Sequence, residues 1–319
     1  MDLDLTDEQR ALHEAIARIV NDYKELPRKD NVVEPCAWHY AAQMEHELDV
    51  GGFFEIALEE SFTALEAALL VYETGFSPLV MEVAGSALIG PLMTGEALPR
   101  PIAVARLEDL TRGVRFLDRA QTLIVDLGDD VAILPASSLT VQPIISNYAY
   151  PLGKLAELPD FTNARRLGAG SAAKLRRLWR LGLALEIGSA MQAATEFTTE
   201  YVKQRQVFSR PLATFQAVQH RLSADAEKCR AVYWLCMKAA WSGTEIDAAL
   251  AALHAQRAIT QLIYDTHQFN GALGMTLEHK LHFWTFRLRW LMGELGGYRV
   301  QAADVSRLAW GNASVQNAA

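Results

Sequence analysis

The sequence predicts a mainly α-helical protein with a small β insertion, and three stretches of the chain indicate this fold class. Apolar residues at helical spacing dominate residues 1–98. Short β-branched runs bounded by glycine, aspartate and proline follow at 99–160. Long proline-poor segments at 161–319 predict a four-helix bundle. We therefore expect a helical N-terminal domain, a reduced middle β-sheet domain and a C-terminal bundle domain with these bounds.

The first helix is predicted from a capping box. The Thr6 hydroxyl can accept a hydrogen bond from the backbone N–H of Gln9, whose side chain can reach back. Apolar residues then recur at helical spacing, from Leu12 to Val20. Further buried helices are expected between Phe62 and Met93, where the sequence is apolar and interrupted by glycine and proline.

The later elements are predicted from β-branched runs and from proline and glycine breaks. We expect a small antiparallel sheet from four short strands, at 102–105, 122–125, 131–134 and 139–141. Four long antiparallel helices with short links should form the bundle, at 171–205, 214–241, 244–269 and 277–292.

Charge and cysteine content exclude several classes of partner. A net charge of −8 over 319 residues disfavours duplex nucleic acid and anionic membranes as partners. The sequence has three cysteines, Cys36, Cys229 and Cys236, an odd number without paired spacing, which indicates a reducing compartment. The N-terminus has no apolar signal segment, and prolines interrupt the longest uncharged run, 131–153. We expect a cytoplasmic protein.

Common catalytic templates are missing from the sequence. It has no phosphate-binding glycine loop, no cysteine pair with zinc spacing and no nucleophile elbow. A di-iron bundle needs Glu-x-x-His, and none of the eight histidines has a glutamate three residues before it. We therefore expect no metal.

Two segments remain as candidates for ligand binding. Arg205 ends a long predicted helix and Gln216 opens the next, so both could contact a pyrophosphate and an adenine edge across the turn. Gln268, Gly271 and Gly274 lie between two predicted helices, where glycine permits close backbone approach. Taken separately, a solvated helix-end cation and helix-stopping glycines are simpler interpretations.

Together, the two segments resemble the acyl-CoA dehydrogenase family. The pattern is Arg-x-x-Phe-x-x-Pro-(x)₄-Gln-x-x-Gln, followed by Gln-x-x-Gly-x-x-Gly-x-Thr-x-Glu-His. The opening helix and the order of helices, sheet and bundle are also similar. In that family FAD, bound across a subunit interface, oxidises an acyl-CoA between Cα and Cβ, and a glutamate removes the α proton.

The resemblance implies roles for six residues in binding a neighbouring subunit's FAD. Arg205, Phe208 and Gln216 would reach that FAD, and Gln268, Gly271 and Gly274 would add diphosphate and adenine contacts. Two positions depart from the family pattern, where glycine is replaced by Ser209 and Ala272.

The residues that would hold this chain's own flavin and substrate are mostly missing. The family's flavin-wrapping loop and tryptophan-containing strand are not found. One family position for the catalytic base is Trp179, which cannot remove a proton, and the other lies one residue from Glu294. Glu294 is either a base in a remodelled turn or a surface residue at a helix end, and the surface interpretation is favoured. Glu186 lies two turns past Trp179, too far to replace it.

These features resemble the short, non-catalytic subunit of heterotetrameric acyl-CoA dehydrogenases that act on steroid-type or other bulky acyl-CoA substrates. The resemblance implies a second dehydrogenase subunit, an acyl-CoA substrate and an electron-transfer flavoprotein as partners. Two alternatives stay open. One is an active homo-oligomer that uses Glu294, and the other is a structural scaffold without flavin contacts.

Overall fold

The computed structural model describes residues 4–25, 38–146 and 150–311. Cys36, one of the three cysteines of the chain, lies outside these residues. Helices come first, small sheets follow and long helices end the described chain, which confirms the mainly α fold class with a small β insertion. The helices are α1 (Asp7–Asp22), α2 (Ala42–Val50), α3 (Ala64–Thr74), α4 (Gly90–Thr94), α5 (Ser171–Gln204), α6 (Gln216–Ser242), α7 (Glu245–Asn270), α8 (Leu281–Leu291) and α9 (Gly297–Trp310).

The strands are short and belong to three small sheets. They are β1 (Ile102–Arg106), β2 (Val114–Arg115), β3 (Thr122–Asp126), β4 (Val131–Pro135), β5 (Val141–Ile144), β6 (Leu152–Leu155), β7 (Arg165–Arg166), β8 (Gln206–Val207) and β9 (Arg210–Pro211). The strand orders are β1-β3-β4-β7, β2-β6-β5 and β8-β9.

The prediction of a single antiparallel sheet is wrong in two respects. The fourth expected strand, at 139–141, is β5 (Val141–Ile144) and lies in the second sheet beside β6. In the first sheet, one pair of strands is not antiparallel. β1 and β3 are parallel, with Ile102 opposite Thr122, whereas β3 and β4 form the expected antiparallel pair. The chain between β1 and β3 leaves the sheet to form β2 in the second sheet. A crossover of this kind returns the chain to the same end of the sheet and so permits parallel pairing.

Capping boxes start two of the N-terminal helices, α1, as predicted, and α3. The Thr6 hydroxyl accepts from the Gln9 N–H at 3.2 Å, and the Gln9 side-chain oxygen accepts from the Thr6 N–H at 3.0 Å. α3 begins in a similar way, because the Glu66 carboxylate accepts from the Thr63 N–H at 2.7 Å. Nearly all of α3 is buried, between α1 and the bundle.

The bundle consists of α5, α6 and α7, and α8 packs against α5. The sequence does not predict α9 as a separate helix, and this helix packs against α7. α5 has 34 residues and is therefore about 50 Å long. α8 starts at Leu281, four residues later than the prediction, because turns occupy the preceding residues.

The N-terminal helices are fixed to the bundle by a close contact at the end of α3. A Cβ built on Gly75 would lie 1.8 Å from Ser189 Oγ and 2.8 Å from its Cβ on α5. Beside this contact, the Tyr72 hydroxyl donates to Gln192 Oε1 at 2.6 Å. The contact leaves no room for a side chain at residue 75.

We therefore expect Gly75→Ala to destabilise the protein by about 2–3 kcal/mol in urea denaturation, as overpacking does. The Gly75 backbone has φ −69° and ψ −14°, so the effect would come from crowding rather than from conformation. Ser189→Gly in the same chain should restore most of the loss. Gly293→Ala, where the nearest atom to a built Cβ is 3.8 Å away, is the control. Wild-type stability of Gly75→Ala would contradict the expectation.

Candidate functional site

A cavity of about 310 Å³ lies where the N-terminal helices, the small sheets and the bundle meet. One part of its wall is apolar, with contributions from Ile89, Ile102 and Leu183. The lining also includes Trp179, Trp290 and several charged side chains. The charged side chains at the wall are those of Glu82, Arg106, Asp109, Arg115, Glu186 and Glu294.

Arg115 connects two of these glutamates. Its Nη1 lies 2.8 Å from Glu186 Oε2, and its Nε and Nη2 lie 2.7 and 3.0 Å from the two oxygens of Glu294. The Arg115 guanidinium also lies 4.8 Å from the centre of the Tyr150 ring and 5.7 Å from that of Phe116. The cation is thus held by two carboxylates and two aromatic rings.

Glu294 points into the cavity, so the interpretation as a surface residue is wrong. Its side chain is 10% exposed, and its Oε1 accepts a hydrogen bond from Trp179 Nε1 at 2.7 Å. The turn that follows α8 directs it inward, because Leu295 adopts a left-handed conformation with φ 53°. Gln256 of α7 donates to the Glu294 carbonyl oxygen at 2.8 Å and holds this turn in place.

Glu186 lines the same cavity as Trp179, and the expectation that it lies too far along the helix needs correction. Seven residues are close to two helical turns, so the two side chains lie on one face of α5. Arg115 then reaches Glu186 from β2 and links it to the Glu294 turn. The link depends on contacts between distant segments, and no local sequence pattern indicates it.

Burial and neighbouring charges have opposite effects on the pKa values of Glu186 and Arg115. Burial raises the pKa of Glu186 above its ordinary value, and the neighbouring Arg115 only partly opposes this shift. Burial lowers the pKa of Arg115, but Glu186 and Glu294 outweigh it, so the net shift of the pKa is upward. Arg115 therefore remains a cation.

Glu82 is a further buried acid, and no sequence pattern singles it out. Its side chain accepts hydrogen bonds from the Gly85 N–H at 2.6 Å, from the Ile102 N–H at 3.2 Å and from the Ser86 hydroxyl. Burial raises the pKa of Glu82 to about 7, against these hydrogen bonds. In the sequence it is one sparse acid in an apolar stretch.

A second candidate site lies at the far end of the bundle. Arg205 follows α5 directly, and the short strands Gln206–Val207 and Arg210–Pro211 form a hairpin. Phe208 and Ser209 at its tip have φ 51° and 63°, the pattern of a two-residue type I′ turn. Phe208 is 86% exposed at this tip. Serine adopts such a φ less readily than the glycine that the resemblance predicts at this position.

The loop after α7 lies at the same end. Gln268 is exposed on the last turn of α7. Gly271 has φ 59° and ψ −146°, a conformation that favours glycine, with open space around a built Cβ. A Cβ on Gly274 would lie 2.6 Å from Asn270 Cβ, so this glycine is needed for packing. Ala272 has an ordinary helical backbone and is exposed.

The structure brings the two segments together at this end of the bundle. Gln216 is the first residue of α6 and is exposed, beside the hairpin. The Asn270 side chain donates to Thr198 Oγ1 at 2.9 Å and so ties the end of α7 to α5. A small apolar cluster supports all three helix ends, with Val202, Val218, Leu222 and Phe269 as its buried members.

The cavity and the bundle end are far apart within one chain. Glu186 and Arg205 are both on or directly after α5, and nineteen residues at 1.5 Å each separate them by about 28 Å. One ligand group cannot contact both at short range, so the two regions serve different sites.

Comparisons with known proteins agree with this architecture. Residues 168–307 match the family model for the acyl-CoA dehydrogenase C-terminal domain. The chain is 27% identical over 227 residues to the acyl-CoA dehydrogenase IpdE2 of Mycobacterium tuberculosis, which covers 69% of this chain and 70% of that protein. These matches make the chain similar to acyl-CoA dehydrogenases, and the family model itself covers the C-terminal part of the chain.

Solved structures confirm the acyl-CoA dehydrogenase fold over almost the whole chain. The ChsE4-ChsE5 complex from M. tuberculosis superposes with a TM-score of 0.77 at 20% identity, over 97% of this chain and 99% of that one. A variant of the Tcur3481-Tcur3483 steroid ACAD gives a TM-score of 0.75 at 19% identity, over 97% and 99%.

Trp179, one position that the resemblance gives for the catalytic base, and Glu294, one residue from the other, line one cavity. Trp179 and Glu294 are in direct hydrogen-bond contact there. Among the described residues, no group of three or more His, Cys, Asp or Glu side chains could hold a metal ion. In the same part of the chain, no helix is long and apolar enough to cross a bilayer.

The raised pKa of Glu82 gives a testable pH dependence. Between its ordinary value of 4.5 and about 7, the folded protein holds a proton on Glu82 that the unfolded chain lacks. Stability therefore falls as the pH rises through this window, by about 3 kcal/mol. Glu82→Gln cannot ionise and should remove this loss, so it should gain about 3 kcal/mol relative to wild type between pH 4 and pH 8.

Urea denaturation at both pH values measures this difference, with the exposed Glu227→Gln on α6 as the control. The raised pKa would be contradicted if the stability of Glu82→Gln relative to wild type were the same at pH 4 and at pH 8.

Proposed function

We propose that this chain is the non-catalytic subunit of a heteromeric, FAD-dependent acyl-CoA dehydrogenase. It completes the FAD site of a second subunit that carries the catalytic base. The observation that carries this proposal is a contrast between the chain's two sites. The exposed bundle end has polar side chains available for a ligand, whereas Arg115, Glu186 and Glu294 of the cavity are already ion-paired with one another.

The bundle end suits the outer half of FAD. Among the described residues, the exposed side chains of Arg205, Gln216 and Gln268 make no hydrogen bond or ion pair with the protein. A guanidinium can bind a diphosphate through two parallel hydrogen bonds, and an amide can pair with the edge of adenine. The exposed Phe208 ring and the backbone near Gly271 would line the same ligand.

The cavity of this chain suits neither a flavin ring nor an acyl thioester of its own. Its volume of about 310 Å³ is at the lower end of the range for single small-molecule pockets. Dehydrogenation requires both groups side by side. The Arg115 guanidinium lies where the reacting carbons would have to approach Glu294.

FAD bound at the shared site would accept the hydride from the substrate's β carbon. This chain's part is to bind and orient. Arg205 would neutralise the charge of the diphosphate, and Gln216 and Gln268 would fix the position of the FAD tail on the bundle end. The second subunit would supply the base and the pocket for the acyl group.

The resemblance to the family and the similar structures support our choice of partner and substrate. The ChsE4-ChsE5 structure is a complex of two proteins, and Tcur3481-Tcur3483 is described as a steroid ACAD. These likenesses support a heterotetramer that catalyses α,β-dehydrogenation of a bulky, steroid-derived acyl-CoA. An electron-transfer flavoprotein would reoxidise the flavin.

Arg205→Ala in the assembled enzyme tests the role of the bundle end. We expect FAD to be retained at least about tenfold more weakly, because a charge-assisted contact with the diphosphate is lost. The flavin content after gel filtration at increasing dilution measures this effect. Lys203→Ala is the matched control, since Lys203 pairs with Glu200 one turn away. Unchanged flavin content in Arg205→Ala would favour a scaffold without flavin contacts.

Glu294 allows a second candidate function, because it lies inside the cavity rather than on the surface. The chain would then be an active homo-oligomer with Glu294 as its base. Under our proposal, Glu294→Gln leaves turnover of the heteromeric enzyme within about twofold, because the partner subunit supplies the base. Turnover with the acyl-CoA substrate measures this. Loss of turnover with full flavin content would instead support catalysis by Glu294.

A further inference from the structure

We infer that Arg115 closes this chain's own dehydrogenase half-site. Its guanidinium acts as an internal ligand for Glu186 and Glu294 and fills the space that an isoalloxazine ring or an acyl thioester would need. The inference deepens the proposed function, because it identifies the residue that prevents a second active site in this subunit.

Arg115 reaches the cavity from a rigid part of the fold. It ends β2, which pairs with β6 through Val114 opposite Gly153 and Arg115 opposite Leu152. A Cβ built on Gly153 would lie 2.8 Å from the Asp118 N atom, so the strands are packed closely against the adjoining turn. The direction of the Arg115 side chain is therefore fixed by the sheet.

The contacts of Arg115 oppose its displacement. Its side chain is 12% exposed, and those of its two partners are 15% and 10% exposed. A ligand that displaced the guanidinium would leave two carboxylates buried without a counter-ion, which is unfavourable. The aromatic rings of Phe116 and Tyr150 limit the space into which the side chain could move.

The closure is also chemical, because Arg115 engages the carboxylate of Glu294, which lies one residue from a family position for the base. A general base must reach the substrate proton with a free carboxylate oxygen. In Glu294, Oε1 accepts hydrogen bonds from Arg115 Nη2 and Trp179 Nε1. Its Oε2 accepts no hydrogen bond from the described residues but is ion-paired with Arg115 Nε at 2.7 Å, so the guanidinium lies against both oxygens.

A charge-balanced variant tests the inference. Arg115→Ala combined with Glu186→Gln and Glu294→Gln removes the cation together with both of its partners, so no buried charge is left unpaired. The probe is lumiflavin, an isoalloxazine without the diphosphate tail, which needs no residue of the bundle end. Quenching of its fluorescence is titrated with the full-length wild-type chain and with the variant.

We expect the triple variant to bind lumiflavin at least tenfold more tightly than the wild type. Arg106→Ala is the matched control and should bind like wild type, because Arg106 lies at the same cavity but pairs with Glu108 and Asp109 at its rim. Equal binding by wild type and triple variant, including no binding by either, would overturn the inference.

The wild-type chain provides an independent test if the triple variant does not fold. Tight lumiflavin binding by wild type that is lost in Leu183→Trp, which fills the cavity, would also overturn the inference. Circular dichroism and gel filtration establish that each variant is folded. None of these measurements involves FAD retention through Arg205, so this inference and the proposed function can fail separately.

Discussion

The ion pairs of Arg115 with Glu186 and Glu294 are the constraint on which the centre of this molecule depends. They join a strand of the second sheet, the first bundle helix and the turn after α8, which are far apart in the sequence. A buried charge is tolerated only when its partners are in place. The three elements must therefore come together in one arrangement. The size of the cavity, its charged wall and the inward direction of Glu294 follow from that arrangement.

The long helix α5 separates the cavity from the bundle end. Its first half supplies Trp179 and Glu186 to the cavity, and its C-terminal end supports the hairpin that begins at Arg205. A straight helix keeps these positions about 28 Å apart. A flavin whose tail contacts the bundle end of this chain must therefore place its ring in another subunit. This geometry makes a shared site the simplest use of the exposed residues at the bundle end.

Local sequence patterns were sufficient for most of the secondary structure, but not for the cavity. The Thr6–Gln9 capping box and the breaks around Pro211 and Gly243 act over a few residues, so they could be read directly from the sequence. The parallel pairing of β1 with β3 and the contact between Arg115 and Glu186 depend on packing between distant segments. The inward direction of Glu294 depends on the left-handed backbone of Leu295, a residue with no sequence preference for that conformation. For the same reason, the bundle-end residues could be proposed from two short sequence motifs, whereas no local pattern singles out Glu82.

Arg115 and Arg205 lie in opposite environments and have different roles. Arg115 is buried, and its hydrogen-bonding capacity is directed to carboxylates of its own chain. Arg205 is exposed, and its charge is available to a ligand. A chain that gave up its own substrate site would still have to neutralise the acids lining the interface between sheets and bundle. Arg115 provides that neutralisation without a ligand. In the proposed heteromer, the same ion pairs that remove this chain's active site therefore preserve the fold, which presents Arg205 to the partner subunit.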